Sequence, residues 1–304
     1  MKELWVEKYR PKTVSEYVFR DDHQRKQVES WIKEKTIPHL LFSGNAGIGK
    51  TTLAKVLFNE LEVNDLDILE INASRTNSVD DVRDKIVKFC QLYPFGDYKI
   101  VLLDEADYLS PNAQAALRGV MEEYHEFSRF ILTCNYPNKI IPAIHSRCQG
   151  FHIARVNQTE FTARVAEILI AENVTPDLDI LDTYVKASFP DLRKCINMVQ
   201  MNVQDKSLLA PNENDANTTD WKIEMVELFK SGKINAARKL LCKTVRPEEM
   251  VDVFTWLYQN IEIFGDEEKQ DSAVLIIKQG LVDHTLVVDP EINLAATLIK
   301  LSRL

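Results

Sequence analysis

Apolar and polar residues alternate in two regular ways over the first 150 residues of this 304-residue chain. Short apolar runs between polar residues predict strands, and apolar positions three or four residues apart predict helices. The predicted strands are 39–43, 67–72, 99–104 and 129–134. The predicted helices are 22–34, 50–61, 78–92 and 111–124. Strands and helices that alternate in this order indicate an α/β domain with a mostly parallel sheet.

The rest of the chain changes to a purely helical pattern. Residues 157–204 predict three amphipathic helices, with helix-start signals at Thr159 and at Pro190-Asp191. Residues 205–220 are polar and rich in turn formers, which predicts a linker, and the period is helical again from Trp221 onward. The predicted domains are therefore 1–155, 156–204 and 221–304, with the linker 205–220 before the last.

Composition narrows the class of protein. The five cysteines have no paired spacing, which favours free thiols in a reducing compartment over disulfides or a zinc site. The N-terminus lacks the apolar core of a signal peptide, and no apolar run approaches the roughly 20 residues needed to span a bilayer. These features predict a soluble intracellular protein. The net charge of −9 points away from a free-standing nucleic-acid binder.

The segment Gly44–Thr51 fits the phosphate-binding loop pattern of Gly, four residues, Gly-Lys-Ser/Thr. It lies between an apolar strand, 40–42, and a helical pattern, 52–57, which is the context that this motif requires. Its glycines let backbone N–H groups turn toward phosphates, and the following helix directs its positive end at them. Lys50 would reach the β- and γ-phosphates of ATP, and the Thr51 hydroxyl would ligate magnesium.

A second segment, Ile100–Asp107, supplies two carboxylates after a buried strand. Asp104 and Glu105 would emerge at the carboxyl end of that strand, where α/β sheets bind ligands. Asp104 would hold magnesium, and Glu105 would act as the general base on the attacking water. The alternative is an acidic helix start, with Asp104 or Asp107 as its cap.

Several motifs in a fixed order resemble those of one family. They are Trp5–Pro11, the two segments above, Asn135, Ser146-Arg147-Cys148 and Pro190–Lys194. Together they resemble the ATPase subunits of sliding-clamp loaders, the AAA+ family that includes replication factor C small subunits, and most closely the large subunit of T4-type bacteriophage loaders. The resemblance implies an AAA+ nucleotide-binding domain over 1–155, a helical lid over 156–204 and an all-α oligomerisation collar over 221–304.

The resemblance also implies which residues contact ATP. Val6, Glu7, Lys8 and Tyr9 would pack against the adenine and ribose, with Val18 closing that pocket; the alternative is an N-terminal segment that packs on the core, and both can hold. Asn135 would orient the attacking water, although an Asn at a strand end is also an ordinary turn residue. Arg193, at a helix start, would bond the γ-phosphate. The remaining implied contacts lie in the phosphate loop and comprise Gly47, Ile48, Gly49, Lys50, Thr51 and Thr52.

Arg147 in its Ser-Arg-Cys context resembles an arginine finger supplied in trans to the ATP of a neighbouring subunit. A lone loop arginine is otherwise usually solvated. If the resemblance holds, each active site is built at an interface. The protein is then an oligomer with itself, in a ring or spiral that a different small subunit completes.

Contacts with DNA and with the clamp follow from the resemblance alone. Primer–template DNA would be met by Ser74, Arg75, Asn77, Gln114 and Arg118. Family members usually carry a basic residue where Asn77 stands, and a second arginine where Gly119 stands. The apolar segment 89–95 lies where loaders touch the clamp, which gives Phe89, Leu92, Tyr93 and Phe95 as clamp-facing residues. Core packing is the competing interpretation of these four.

The expected function is an ATP-driven loader that opens a ring-shaped polymerase clamp and closes it on DNA, with ATP and Mg²⁺ as cofactors. The location implied is the cytoplasm, of a bacterial host if the gene is viral. The alternative is another AAA+ machine, such as a branch-migration motor or helicase loader. Such motors usually end in a basic winged helix, whereas residues 221–304 carry acidic clusters. A non-hydrolysing subunit conflicts with Lys50, Asp104 and Glu105.

Overall fold

The computed structural model of the chain describes residues 3–75, 79–153, 156–210 and 250–304, with isolated positions between 228 and 245. Asn77 and most of the segment 211–249 lie outside the described residues. The chain divides into two compact units. The first contains the residues up to Asp177 together with Ser188–Leu208, and the second contains Leu178–Ala187 and the residues from Leu209 to the end.

The first unit is built on a parallel sheet of five strands. These are β1 (Leu40–Ser43), β2 (Ile68–Asn72), β3 (Lys99–Asp104), β4 (Ser128–Cys134) and β5 (Gln149–His152). Their order across the sheet is β2-β3-β4-β1-β5, and every pairing is parallel. The four predicted strands are confirmed. The fifth was not predicted, because it is a short edge strand in which only Phe151 is buried.

Helices cover both faces of this sheet. The helices α2 (Asp22–Lys33) and α3 (Lys50–Glu60) contribute to the core on one face, and α4 (Val79–Cys90), α5 (Pro111–Glu123) and α6 (Pro142–His145) contribute to the core on the other. The first unit also contains α1 (Trp5–Lys8), α7 (Gln158–Ala171) and α9 (Leu192–Met201). Successive residues of β1 point to opposite faces, so Leu40 and Phe42 belong to one apolar core and Leu41 to the other. The predicted α/β class is therefore confirmed.

Side-chain caps fix where several of these helices begin. Ser110 caps α5 through a bond from Ala113 N, and Pro111 supplies the first helical residue. Asp191 caps α9, as its sequence signal predicted. The start signal placed at Thr159 is wrong, since Asn157 accepts the N–H groups of Thr159 and Glu160. Thr159 is thus inside the first turn of α7.

Residues 203–208 form a short antiparallel hairpin of β6 (Val203–Gln204) and β7 (Ser207–Leu208). Asp205 and Lys206 make its turn with positive φ angles of 47° and 63°. The sequence placed 205–208 in the linker because their composition is polar and turn-rich. These residues instead continue the first unit.

In the described part of the second unit, α8 (Leu178–Ser188) is followed from residue 250 onward by α10 (Met250–Gln259), α11 (Glu267–His284) and α12 (Pro290–Leu301). Tyr184 donates a 3.0 Å hydrogen bond to the carbonyl of Leu209. Gly280 lets α11 approach its neighbours closely, because a Cβ there would lie 2.6 Å from Thr297 Oγ1 and 2.7 Å from the Phe254 ring. No helix in the described part of the chain is long and apolar enough to cross a membrane.

Candidate nucleotide-binding and hydrolysis site

The phosphate-binding loop connects β1 to α3. Gly47 and Gly49 have φ angles of 74° and 92°, which only glycine adopts without strain. Lys50 is the first residue of α3, and its ammonium donates hydrogen bonds to Gly44 O at 2.8 Å and Asn45 O at 2.6 Å. It also donates to Asn135 Oδ1 at 2.8 Å. The loop thus presents backbone N–H groups and one buried cation at the carboxyl edge of the sheet.

The pKa of Lys50 is lowered below its usual value by burial, and the nearby side chains of Cys134, Asp104 and Asp107 act in the opposite direction. Burial of Cys134 raises the pKa of its thiol to about 11. A lysine that is 9% exposed and surrounded by acceptors favours an anionic ligand as its partner.

Asp104 ends β3, and one of its carboxylate oxygens accepts hydrogen bonds from two hydroxyl groups. Thr51 Oγ1 and Thr133 Oγ1 each donate to Asp104 Oδ1 at 2.6 Å. The oxygen donors of Thr51 and Asp104 are the kind that Mg²⁺ prefers, and such ions usually take one or two protein ligands plus phosphate oxygens. Among the described residues, no three His, Cys, Asp or Glu side chains gather as a complete metal site. The donor set therefore fits a magnesium ion shared with a nucleotide.

Glu105 follows in a left-handed conformation, with φ 58° and ψ 43°. Its backbone N–H donates to Thr133 Oγ1 at 3.0 Å. The carboxylate belongs to a half-buried residue directly beside Asp104. This placement suits a general base next to a phosphate-binding loop.

Thr133 and Asp107 are site residues that the sequence analysis did not assign. Asp107 is 7% exposed, and its Oδ2 accepts the N–H groups of Asn135 at 3.3 Å and Tyr136 at 3.2 Å. It therefore fixes the end of β4 rather than capping a helix. The sequence contained a signal for each of them. Thr133 is a polar residue inside the apolar run Phe130–Cys134, and Asp107 follows the acidic pair Asp104-Glu105.

A cavity lies beside the loop. Eight residues expected to contact ATP line it, namely Val6, Tyr9, Val18, Gly47, Ile48, Gly49, Thr52 and Arg193. Glu7 and Lys8 do not line it, and neither do Lys50 and Thr51. Glu7 instead pairs with Arg10, and Lys8 pairs with Glu172.

The N-terminal segment also contacts the helices α7 and α9. Tyr9 and Lys8 both donate to Glu172 Oε1 at 2.7 Å. Arg164 donates to the Tyr9 carbonyl at 3.2 Å, and the Trp5 N–H donates to Gln200. Packing of the N-terminus and lining of the cavity are therefore both true of this segment.

Arg193 lies in the first turn of α9, where its sequence signal placed it, and it lines the cavity. The cap residue Asp191 lies against the loop, because a Cβ on Gly47 would be 1.9 Å from its Oδ1. A glycine at 47 is thus required both by its φ and by the close approach of Asp191.

Arg147 lies two residues after the end of α6. Its guanidinium pairs with Glu122 and donates to Ala143 O at 2.7 Å and Ser146 Oγ at 3.3 Å. None of these partners lines the nucleotide cavity. The described contacts therefore give Arg147 no role at its own loop.

The residues expected to face DNA separate into two groups. Ser74, Arg75 and Arg118 are exposed. Gln114 is 1% exposed, donates to Leu109 O and Lys139 O, and accepts from Ile141 N. The expectation that Gln114 faces DNA is wrong, because these three bonds hold the amide inside the protein. Asn77 lies outside the described residues.

The residues expected to face a clamp also separate. Leu92, Tyr93 and Phe95 are 64%, 86% and 72% exposed. Phe89 is half-buried, and the Lys99 ammonium lies 4.3 Å from its ring centre. The core interpretation therefore fits Phe89, and the surface interpretation fits the other three.

A buried ion pair holds this exposed loop. Asp67 and Lys99 are nearly inaccessible and lie 3.3 Å apart. Asp67 also accepts the N–H groups of Phe95 and Gly96. The aromatic side chains of the loop are thus presented on a fixed backbone.

Comparison with known proteins gives consistent matches. Residues 40–156 match the ATPase family associated with various cellular activities (AAA). The chain is 34% identical over 321 residues to the replication factor C small subunit of Methanococcus vannielii, covering 99% of each chain. It is 38% identical over 315 residues to that of Archaeoglobus fulgidus, covering 99% of this chain and 98% of the relative.

A solved structure shares the fold at low sequence identity. The Thermotoga maritima RuvB Holliday junction branch migration motor matches with a TM-score of 0.57 and 16% identity, over 78% of this chain and 79% of that one. At this identity the likeness concerns the fold alone.

Proposed function

The chain belongs to the AAA family of ATPases and, within it, to the replication factor C small subunits, and from this premise we propose its task in detail. It is an ATPase of the clamp-loader class that acts in DNA replication. It uses ATP binding and hydrolysis to open a ring-shaped polymerase clamp and to place it on primer–template DNA. The observation that carries this function is the meeting of Lys50, Asp104 and Asn135 at one edge of the sheet.

Each residue of that edge has a task in hydrolysis. Lys50 would bind the β- and γ-phosphates, and Thr51 with Asp104 would hold Mg²⁺, which neutralises charge on the phosphates when bound. Glu105 would accept the proton of the attacking water. Asn135 would orient that water, and Arg193 would contact the γ-phosphate from the lid.

We propose that Arg147 acts in trans. Its recorded contacts are with its own α5 and α6 residues, away from its own nucleotide cavity. A finger that completes a neighbour's site requires an oligomer of this chain, in which a different small subunit takes a place. The apolar helices after residue 250 are the proposed collar of that oligomer.

DNA and clamp would meet different surfaces of the first unit. The proposed DNA contacts are the exposed residues Ser74, Arg75 and Arg118. Contacts with DNA phosphates would position the protein on the duplex without reading the base sequence. Leu92, Tyr93 and Phe95 are the proposed clamp contacts, because exposed aromatics on a fixed loop are suited to docking. A cytoplasmic location accompanies this function. The finer likeness to T4-type bacteriophage loaders stays a prediction.

A branch-migration motor is the competing function. The structural likeness to RuvB is consistent with it, but the relatives that align over the full chain are replication factor C small subunits. The last 55 residues form helices α10–α12 with acidic first turns in α10 and α11. These features favour the loader.

The test of this function measures steady-state ATPase of the full chain assembled with the proposed second loader subunit, with and without primer–template DNA and clamp. The expected result is stimulation by DNA and clamp together that exceeds either alone. Tyr93→Ala with Phe95→Ala should remove the clamp effect and keep the DNA effect, and Ile170→Ala, which truncates another exposed apolar residue, should keep both. Stimulation by four-way junctions but not by primer–template would favour the motor.

A further inference from the structure

Thr133 joins the two acidic residues of the site through one hydroxyl group. Its Oγ1 donates to Asp104 Oδ1 at 2.6 Å and accepts the N–H of Glu105 at 3.0 Å. The residue is 1% exposed and lies near the end of β4. Among the described residues, Thr133 alone has a side chain that hydrogen-bonds both to Asp104 and to the Glu105 backbone.

The chemistry of a hydroxyl is what this position requires. A hydroxyl has one donor and two acceptor lone pairs, so it can donate to a carboxylate and accept an N–H at once. A valine side chain of nearly the same shape can do neither. The position therefore selects for a hydroxyl rather than for the β-branched shape that strands favour.

The bond to Glu105 also sets the direction of the chain. The pairing of β3 with β4 ends at Leu103 and Leu132. Beyond that pair, the Thr133 side chain accepts the Glu105 N–H, and Glu105 turns into the left-handed region at φ 58°. That region is unfavourable for a residue with a Cβ, so the turn needs support from its surroundings.

We propose that Thr133 is a positioning residue for hydrolysis. It holds the Asp104 carboxylate and the Glu105 backbone in the relative positions that hydrolysis requires. The proposal rests on the general-base role of Glu105 in the proposed function. Loss of the hydroxyl leaves the Glu105 N–H without its acceptor and frees the turn that aims the carboxylate. ATP binding depends on Lys50 and the loop, which Thr133 does not contact in the recorded hydrogen bonds.

The test compares Thr133→Val, which removes the hydroxyl, with Thr133→Ser, which keeps it. Both are made in the full chain and assembled with the proposed second loader subunit. Thr133→Val should lower kcat by about 10²-fold, the scale of a misplacement of about 1 Å, with ATP affinity within a few-fold of the parent. Thr133→Ser should restore most of the turnover. Thr297→Val removes another buried, bonded hydroxyl far along the sequence in α12 and controls for stability.

A second readout does not depend on activity. Amide hydrogen exchange of a peptide covering 103–107 should accelerate in Thr133→Val and stay at the parent rate in Thr133→Ser. In addition, Thr133→Val combined with Glu105→Gln should be no slower than Glu105→Gln alone, because the two changes act through one group.

Three results would overturn the proposal. They are parent-like kcat in Thr133→Val while Glu105→Gln is inactive, equal loss in the Val and Ser variants, and unchanged exchange at 103–107. A parent protein without ATPase activity would refute the proposed function instead, and the exchange measurement would still decide whether Thr133 holds Glu105.

Discussion

The Lys50 ammonium lies 2.8 Å from the Asn135 amide oxygen and donates a hydrogen bond to it. The two residues are 85 positions apart in the chain and come from different motifs. β1 and β4 are neighbours in the sheet, so the loop after β1 and the residue after β4 meet at one edge. A nucleotide phosphate bound by Lys50 would thus be next to the residue proposed to orient the attacking water.

Lys50→Ala should abolish nucleotide binding, whereas Glu105→Gln should preserve it. Lys50→Ala removes the buried cation and should abolish ATP binding, whereas Lys55→Ala, a change on the same helix, should preserve it. Glu105→Gln keeps the shape but loses the base, so ATP should bind and turnover should fall by about 10²- to 10⁴-fold. Fluorescent-nucleotide binding and steady-state ATPase give both values. Parent-rate hydrolysis by Glu105→Gln would refute the general-base assignment.

Asp107 should matter through Asn135. Asp107→Ala removes the acceptor of two backbone N–H groups, which should cost about 1–3 kcal/mol of folding free energy per unsatisfied group. It should also lower kcat toward that of Asn135→Ala, because the end of β4 is no longer fixed. Denaturant unfolding and ATPase of both single variants and the double variant test this. Fully additive losses in kcat would contradict it.

Sequence patterns predicted the site residues that belong to a recognisable motif or that end a predicted strand. Lys50 and Asp104 were found in this way, Asn135 was assigned through the family resemblance, and the sheet brings the three together. Thr133 was not found, because a threonine inside an apolar run is an ordinary strand residue.

Other differences have the same physical origin. The resemblance placed Gln114 among the DNA-facing residues, but three backbone partners keep it buried. Glu7 and Lys8 were assigned with their neighbours as one segment, although a helix separates the faces of adjacent residues. Tertiary partners decided these cases, and a local pattern does not reveal such partners.

His39 should make stability depend on pH. Its Nδ1 accepts the Phe130 N–H at 3.1 Å, and burial, with the charges of Arg129 and His125, lowers its pKa from 6.5 to about 4. Between these values the unfolded chain takes up a proton that the native state does not. The contribution of His39 is therefore complete above pH 6.5 and is lost as pH falls toward 4.

His39→Asn removes this titration while keeping an acceptor. Thermal unfolding between pH 7 and pH 4.5 should show a steeper fall in Tm for the parent than for His39→Asn. The exposed His23, changed to Asn, is the matched control and should follow the parent curve. Parallel curves for the parent and His39→Asn would contradict the assignment.

The trans role of Arg147 is the claim on which the oligomeric site depends. Arg147→Ala should leave ATP binding within a few-fold of the parent and cost about 10³-fold or more in turnover. Arg147→Lys should rescue poorly, because a point charge lacks the planar fork of the guanidinium. ATP binding and steady-state turnover of the assembled single variants measure both effects. Glu122→Gln, which removes the partner of Arg147 within its own chain, separates loss of the finger from loss of this pair.

The most direct measurement is the DNA-stimulated ATPase of an assembly that mixes Glu105→Gln with Arg147→Ala, with subunit exchange verified separately. Each variant alone should retain little activity. In a mixed ring, some interfaces join an intact Glu105 to an intact Arg147 of the neighbouring copy, and those interfaces should hydrolyse ATP. Activity clearly above the average of the two single variants is the predicted result. Activity no higher than that average would contradict a finger that acts in trans.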